Sequence, residues 1–254
     1  MRIVLLGSGN VATHLAKALK AKDEEIVQVY SQNPINAKAL ADLVGSKSTA
    51  DLSEIDADAD LYIIAVKDDA IEQVAIELTG VRGLVVHTSG TTDIGILSAN
   101  VKQSGVFYPL QTFSKSKDLS FENIPLCIES NSENSLDVLR SLASKISRQV
   151  YELGGDKRKV LHLAAVFACN FPNHLYALAN QILQKNNLDF EIIRPLIAET
   201  ADKVMISLPD QVQTGPAIRA DETTLNKHLS MLNTMPELQN IYQTLSSSIK
   251  LKLK

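Results

Sequence analysis

The sequence predicts an α/β protein, a doubly wound sheet of Rossmann type followed by an all-α C-terminal domain. Three observations carry this. Short β-branched runs alternate with helical stretches through the first half, a glycine-containing turn joins the first run to the first helix, and after Gly154-Gly155 the strand signal stops. The expected domains cover residues 1–154 and 155–254.

Strand candidates fall at residues 2–6, 26–30, 61–66, 84–87 and 106–108, with helical stretches at 11–20, 37–44 and 70–78 between the first of them. Gly45 stands where a helix C-cap is wanted. Runs that are apolar throughout and separated by helices read as a parallel sheet covered on both faces. Two further strands, at 125–129 and 149–153, flank a helix at 136–146. From residue 157 onward the pattern is helical. Residues 161–178 are apolar on nearly every side, broken by His162, Asn170, Pro172, Asn173 and His174. Such a helix is expected to be buried, at the centre of a helical domain or in a subunit interface. Pro172 removes one backbone bond inside it and predicts a kink. Later helices are expected near 189–208, 221–232 and 236–251.

Composition narrows the function. The chain has 254 residues, with 25 basic against 29 acidic side chains and a net charge of −4. That balance offers no field for nucleic acid or an anionic membrane surface. The two cysteines, Cys127 and Cys169, match no zinc or redox spacing, and the five histidines show no metal-binding pattern, so no metal is predicted. The apolar run at residues 3–6 is too short for a signal peptide, and no segment approaches the roughly 18 apolar residues of a membrane span. A cytoplasmic protein is expected.

The sharpest local signal is Gly7-Ser8-Gly9-Asn10-Val11-Ala12, directly after the first strand and opening the first helix. Gly7 permits a tight turn, Gly9 lets a pyrophosphate approach the backbone, and Ala12 allows close packing of helix on sheet. The helix N-terminus supplies unpaired N–H groups to an anion. An acid at the end of the second strand would select NAD through the ribose 2′-hydroxyl. Asp23, Glu24 and Glu25 precede that strand and lie at its wrong end, whereas Ser31, Gln32, Asn33 and Pro34 follow it. Nothing there repels a 2′-phosphate, and NADP is the expected cofactor.

Ligands of an open α/β sheet sit beyond the carboxyl ends of the strands. Val66 and Lys67 are therefore expected beside the nicotinamide ribose or the diphosphate. His87 and Ser89 have the chemistry to pass a proton or hold a polar substrate, although a strand-end histidine is also a common structural donor and Ser89-Gly90 a common turn. Gln111 follows the fifth strand. Asn170 and His174, four apart, share a helix face, with His162 about 80° from Asn170 on a straight helix. Phe167 and Phe171 read as packing. Thr214-Gly215-Pro216 reads as a turn, and Asp221 as a helix N-cap.

Taken together, the Gly7–Ala12 turn, residues 64–71, His87-Thr-Ser-Gly90, residues 107–113 and Thr214-Gly-Pro216 give the chain a family look. It resembles the Rossmann-like NADP oxidoreductases, a branch of unassigned substrate related to pyrroline-5-carboxylate reductase, ketopantoate reductase and the 6-phosphogluconate dehydrogenase superfamily. The resemblance implies an N-terminal dinucleotide domain and a C-terminal helical domain that dimerises. Hydroxyacid dehydrogenases of that superfamily carry Lys-x-x-x-Asn on the first long helix of the second domain. If Asn170 is that asparagine, Val166 occupies the lysine position, and Lys159 cannot stand in, being 11 residues and about 16 Å from Asn170 along the helix.

The function expected is an NADP-dependent reductase moving hydride between the nicotinamide and a small C=O or C=N compound in the interdomain cleft. His87, Ser89 and Asn170 are the expected catalytic residues. Gly7, Ser8, Gly9, Asn10, Val11, Ser31, Gln32, Asn33, Val66 and Lys67 are expected on the cofactor, and Gln111, His174 and Thr214 on the substrate. The rival reading is a protein that senses NADP(H) without turnover. A homodimer through the C-terminal helices is expected, because a domain of about 100 residues covers little apolar surface alone.

Overall fold

The structure, a computed structural model, describes residues 1–251. The chain divides into two compact units, Met1–Asn170 and Phe171–Lys254.

The first unit is built on one eight-stranded sheet. Its elements run β1 (Arg2–Leu6), α1 (Asn10–Lys20), β2 (Glu25–Tyr30), α2 (Pro34–Val44), β3 (Lys47–Thr49), β4 (Leu61–Ile64), α3 (Ile71–Glu77), β5 (Leu84–His87), α4 (Gly95–Ser98), β6 (Ser104–Pro109), β7 (Leu126–Ser130), α5 (Glu133–Ile146), β8 (Val150–Glu152) and α6 (Gly155–Ala165). The strand order is β3-β2-β1-β4-β5-β6-β7-β8. Strands β1 to β6 pair in parallel, β7 joins β6 antiparallel, and β8 runs parallel to β7. The order reverses between β1 and β4, which opens a crevice at the carboxyl ends of these two strands.

Alternation along the strands explains why the central ones are apolar throughout. Ile3 and Leu5 point to one face, where they pack with Leu15 and Leu19 of α1 and Leu139 of α5. Val4 and Leu6 point to the other, against Ile71 and Val74 of α3. Strand β3 escaped the sequence reading: it is three residues at the sheet edge, Lys-Ser-Thr, with no apolar pattern.

Gly7 shows how the sequence fixes the crevice. Its φ is +127°, and a Cβ there would lie 2.2 Å from the Ala65 carbonyl oxygen. Only glycine lets the turn after β1 pass so close to the end of β4.

Helix α6 leads directly into a π-helical turn, Val166–Asn170, and then α7 (Phe171–Lys185). This π-helical turn ends two residues before Pro172, where the sequence predicts a kink. The wider turn absorbs the missing N–H and the clash of the proline ring with the preceding carbonyls. The straight-helix projection that set His162 about 80° from Asn170 does not hold across it.

The second unit continues with α8 (Arg194–Ile206), α9 (Glu222–Met231) and α10 (Pro236–Leu251). Asp221 caps α9, its side chain accepting from the Thr224 N–H at 3.0 Å. Burial here is sparse: among the described residues Ala217, Leu225 and Leu232 are its buried hydrophobics, and neither α7 nor α8 has a buried residue. Of the two settings expected for the apolar helix, the buried centre of a domain does not occur within one chain. No helix among the described residues is long and apolar enough to cross a membrane.

Candidate active site

A cavity of about 830 Å³ opens at the carboxyl ends of the strands, lined entirely by residues of the first unit. Gly7, Ser8, Gly9, Asn10 and Val11 form one wall, Ser31 and Gln32 a second, and Val66, Lys67 and Asp68 a third. Ser89, Gly90, Tyr108, Gln111 and His162 bound the other end.

The α1 end of the cavity is shaped for an anion. Gly9 is the N-cap of α1, and the first helical bond runs from the Thr13 N–H to the Gly9 carbonyl at 3.0 Å. The N–H groups of Asn10, Val11 and Ala12 thus have no partner within the helix. A Cβ built on Gly9 would meet nothing within 4 Å, so the space in front of these donors is open. The turn is held by its neighbours: the Ser8 hydroxyl donates to Ser31 Oγ at 2.8 Å, and the Asn10 side-chain amide donates to the Phe113 carbonyl at 2.9 Å.

The buried acid near β2 is engaged away from the cavity. Glu24 is buried at the amino end of the strand, paired with Lys145 and with the Met1 ammonium. Burial pushes its carboxyl up, and these two cations outweigh that, leaving it below the usual carboxylate range. Asn33 caps α2, its side chain accepting from the N–H groups of Ile35 and Asn36, and it is not part of the cavity lining.

His87 sits at the end of β5 but faces inward. It is fully buried and does not line the cavity. Its Nδ1 accepts from the Ser89 N–H at 3.2 Å. Burial, followed by the nearby Arg158 charge, pushes its pKa down to about 4, so the ring is neutral at pH 7. Ser89 lines the cavity but is fully engaged. Its hydroxyl donates to Asp68 Oδ2 at 2.8 Å and accepts from the N–H groups of Thr91 and Thr92 at 3.1 and 3.0 Å. The Thr91 hydroxyl also donates to Asp68, at 2.6 Å.

Two cavity residues meet that sequence reasoning did not join. Tyr108, in β6, and His162, in α6, lie with Tyr108 Oη 3.0 Å from His162 Nδ1. Burial, then the Cys127 thiol, pushes the Tyr108 phenol up to about 12. Gly90 is packed against both: a Cβ there would come within 2.7 Å of His162 Nδ1 and 2.8 Å of Tyr108 Cζ. The pair is separated by 54 positions in the sequence, and no spacing rule connects them. The Ser-Gly dipeptide at the end of β5 was the one visible sign of a close approach.

Helix α6 is tied to the sheet by Arg158, whose side chain is fully buried. Its guanidinium pairs with Glu129 of β7 and donates to the Thr92 carbonyl at 2.6 Å. Lys159, one position on, pairs instead with Asp93. Gln111 lines the cavity, its Oε1 accepting from the Thr112 N–H at 2.7 Å. Asn170 is exposed at the end of the π turn, and His174 and Thr214 belong to the second unit. None of these three lines the cavity.

A mostly parallel sheet with a reversed strand order, a glycine turn and an open helix N-terminus at the switch point defines a dinucleotide-binding class of protein. Comparison with known proteins narrows the class. Residues 2–88 match a family described as NADP oxidoreductase, coenzyme F420-dependent, and residues 124–249 match a domain of unknown function (DUF2520). A crystal structure of a "putative NADP oxidoreductase" from Bacteroides fragilis is 46% identical, covering 98% of this chain and 97% of its own, with a TM-score of 0.94. An imine reductase from Myxococcus stipitatus in complex with NADP+ is 15% identical over 98% of this chain and 92% of its own, TM-score 0.62. A 1-pyrroline-5-carboxylate reductase from Streptococcus pyogenes is 15% identical over 98% of both chains, TM-score 0.62. These two share the fold. No curated protein matches. The chain belongs to the same NADP oxidoreductase family as the Bacteroides fragilis protein; it is an oxidoreductase, and NADP is its cofactor.

Proposed function

We propose that the cavity binds NADP(H) with its pyrophosphate on the N-terminus of α1, and that the protein reduces a small C=O or C=N compound there. The observation that carries this is the open, donor-lined space in front of Gly9, continuous with a polar end at Tyr108, Gln111 and His162. Bound NADPH supplies the hydride. The chain's own residues bind and orient. The Asn10–Ala12 N–H groups take the pyrophosphate, Ser31 and Gln32 donate to the 2′-phosphate, and Gln111 presents an amide to the substrate. Two of the expected catalytic residues take supporting parts, His87 as a buried acceptor and Ser89 as the clamp on Asp68.

The test is an NADPH-oxidation screen over imines, 2-oxo acids, aldehydes and the deazaflavin coenzyme F420, which the description of the matching family names. Turnover of at least one compound is the expected result. Tight NADPH binding with no turnover across the panel would replace the reductase with a protein that senses NADP(H).

A second copy of the chain is the proposed partner. With no buried residue on α7 or α8, and with Leu196, Met205 and Ile206 exposed, the described residues of the second unit bury few hydrophobics, Ala217, Leu225 and Leu232. A dimer interface of about 1,200–2,000 Å² would cover the exposed ones. Sedimentation should give a dimer at micromolar concentration, and Leu196→Glu should yield monomer or insoluble protein; a stable wild-type monomer would overturn the proposal. The two free cysteines, Cys127 and Cys169, support a reducing, cytoplasmic setting.

A further inference from the structure

We propose that Tyr108 delivers the proton in this reduction, and that His162 is the positioning residue that holds its hydroxyl and restores its proton. The proposal rests on the reductase reading of the cavity and adds to it the source of the proton.

Reduction of C=X needs one hydride and one proton. As hydride adds to carbon, the electron pair of the C=X bond moves to X. The Tyr108 O–H proton passes to X, the His162 Nδ1–H proton passes to the phenolate oxygen, and a solvent proton adds to His162 Nε2 in the same step, so the ring carries one proton throughout and only its tautomer changes. Exchange with solvent, which the half-buried ring can reach, then returns the proton to Nδ1.

Three observations support this assignment. Tyr108 and His162 are in hydrogen-bond contact at 3.0 Å, and both line the cavity. Gly90, also in the lining, has no side chain at the one place where a Cβ would push them apart. The two proton carriers expected at the end of β5 are otherwise engaged: His87 is buried and outside the lining, and the Ser89 proton is directed to Asp68. A phenol whose ionisation is suppressed stays protonated through the neutral range and can give its proton to an atom gaining negative charge. It then needs a partner to refill it, and His162 stands at that position.

The arrangement makes a claim about tautomers that requires no substrate. For the relay to be loaded, His162 must carry its proton on Nδ1 and donate to Tyr108 Oη, leaving the phenolic proton free for the cavity. Nitrogen-15 NMR of the histidine rings, in full-length protein with NADP+ added, reads this directly, with the His162 signals assigned by their loss in His162→Gln. A protonated Nδ1 is expected, with its signal moving in Tyr108→Phe. An unprotonated Nδ1 that accepts from Tyr108 would overturn the proposal.

Kinetics provides a second reading, on a compound found by the screen. Tyr108→Phe should lower kcat by about 10²–10⁴-fold, the usual worth of a positioned acid. His162→Gln should lower it less, and both variants should bind NADPH as the wild type does. Wild-type turnover by Tyr108→Phe would overturn the proton assignment and leave the reductase reading intact. Loss of NADPH binding at Gly9, treated below, bears on the reading and not on the pair.

Discussion

Replacing Gly9 with valine separates the ligand-binding role of the glycine turn from its folding role. Gly9 has φ −75° and ψ −170°, an extended conformation open to any residue, and a Cβ there meets nothing within 4 Å. Folding should therefore be nearly unaffected. Loss of a tolerated N-cap residue costs about 1 kcal/mol. The smaller entropy of the unfolded chain returns about 0.4–1 kcal/mol. Binding should behave quite differently, because the new side chain fills the space in front of the Asn10–Ala12 N–H groups. Hydrogen bonds to a charged group contribute about 1.5–3 kcal/mol each. Losing two removes about 3–6 kcal/mol, a rise in Kd of roughly 10²–10⁴-fold. Fluorescence titration with NADPH measures the loss, and urea unfolding checks the fold. Gly7→Ala is the contrast, because a Cβ 2.2 Å from the Ala65 carbonyl oxygen, at φ +127°, should destabilise the protein itself. If Gly9→Val stays folded and still binds NADPH at wild-type strength, the turn is only structural and the cavity assignment fails.

Four further results are expected. NADPH should bind at least several-fold more tightly than NADH, since the cavity residues that follow β2, Ser31 and Gln32, include no carboxylate; equal affinities in the same titration would contradict this. Gly90→Ala should displace the Tyr108–His162 pair, lowering kcat at least tenfold while NADPH binding persists; unchanged kcat on the screened compound would show the contact to be incidental. His87 should make stability acid-sensitive. Its folded pKa of about 4 lies below the ordinary 6.5, so the unfolded chain takes up the proton first. Its contribution is fully present above pH 6.5 and falls away as pH drops through about 4, to a total of about 3 kcal/mol. Urea unfolding at pH 7.5 and 4.5 should show most of that loss in the wild type and a smaller loss in His87→Asn; identical losses would refute the assignment. Finally, Arg158→Met should cost about 3–5 kcal/mol in unfolding, by leaving the Glu129 charge without its partner.

The sheet and the glycine turn were legible because their signals are local. Runs such as Leu61–Ile64 announce a strand buried on both faces, and Gly7 and Gly9 sit where the turn needs them. Strand β3 was invisible because its pairing, not its composition, makes it a strand. The antiparallel entry of β7 depends on the path of the connecting segment, which periodicity does not encode. The candidate site divides along the same line. Nine of the ten residues expected on the cofactor line one cavity, while Asn33 is drawn away by the local demand of a helix cap. The sequence placed His87 at a strand end but could not say which way it faces; Arg158, far along the chain, helps set that surrounding. The meeting of Tyr108 with His162 depends on where α6 docks, and that is a tertiary fact.

Arg158 and His162 stand one helical turn apart on α6, with the guanidinium locked to Glu129 and to the Thr92 carbonyl. The ring nitrogen beside Tyr108 is thereby referenced to the sheet and not to any surface loop. An error in its position can be no larger than the play in a buried charge pair about 6 Å away along a rigid rod. This matters for how such a protein can diversify. Loop segments at the rim of the cavity are free to vary in length and composition, because the proton-delivering pair sits on β6 and α6. New substrates can be explored by drift at the rim while the chemical step keeps its alignment, and a lineage on this scaffold would change what it reduces far more readily than how.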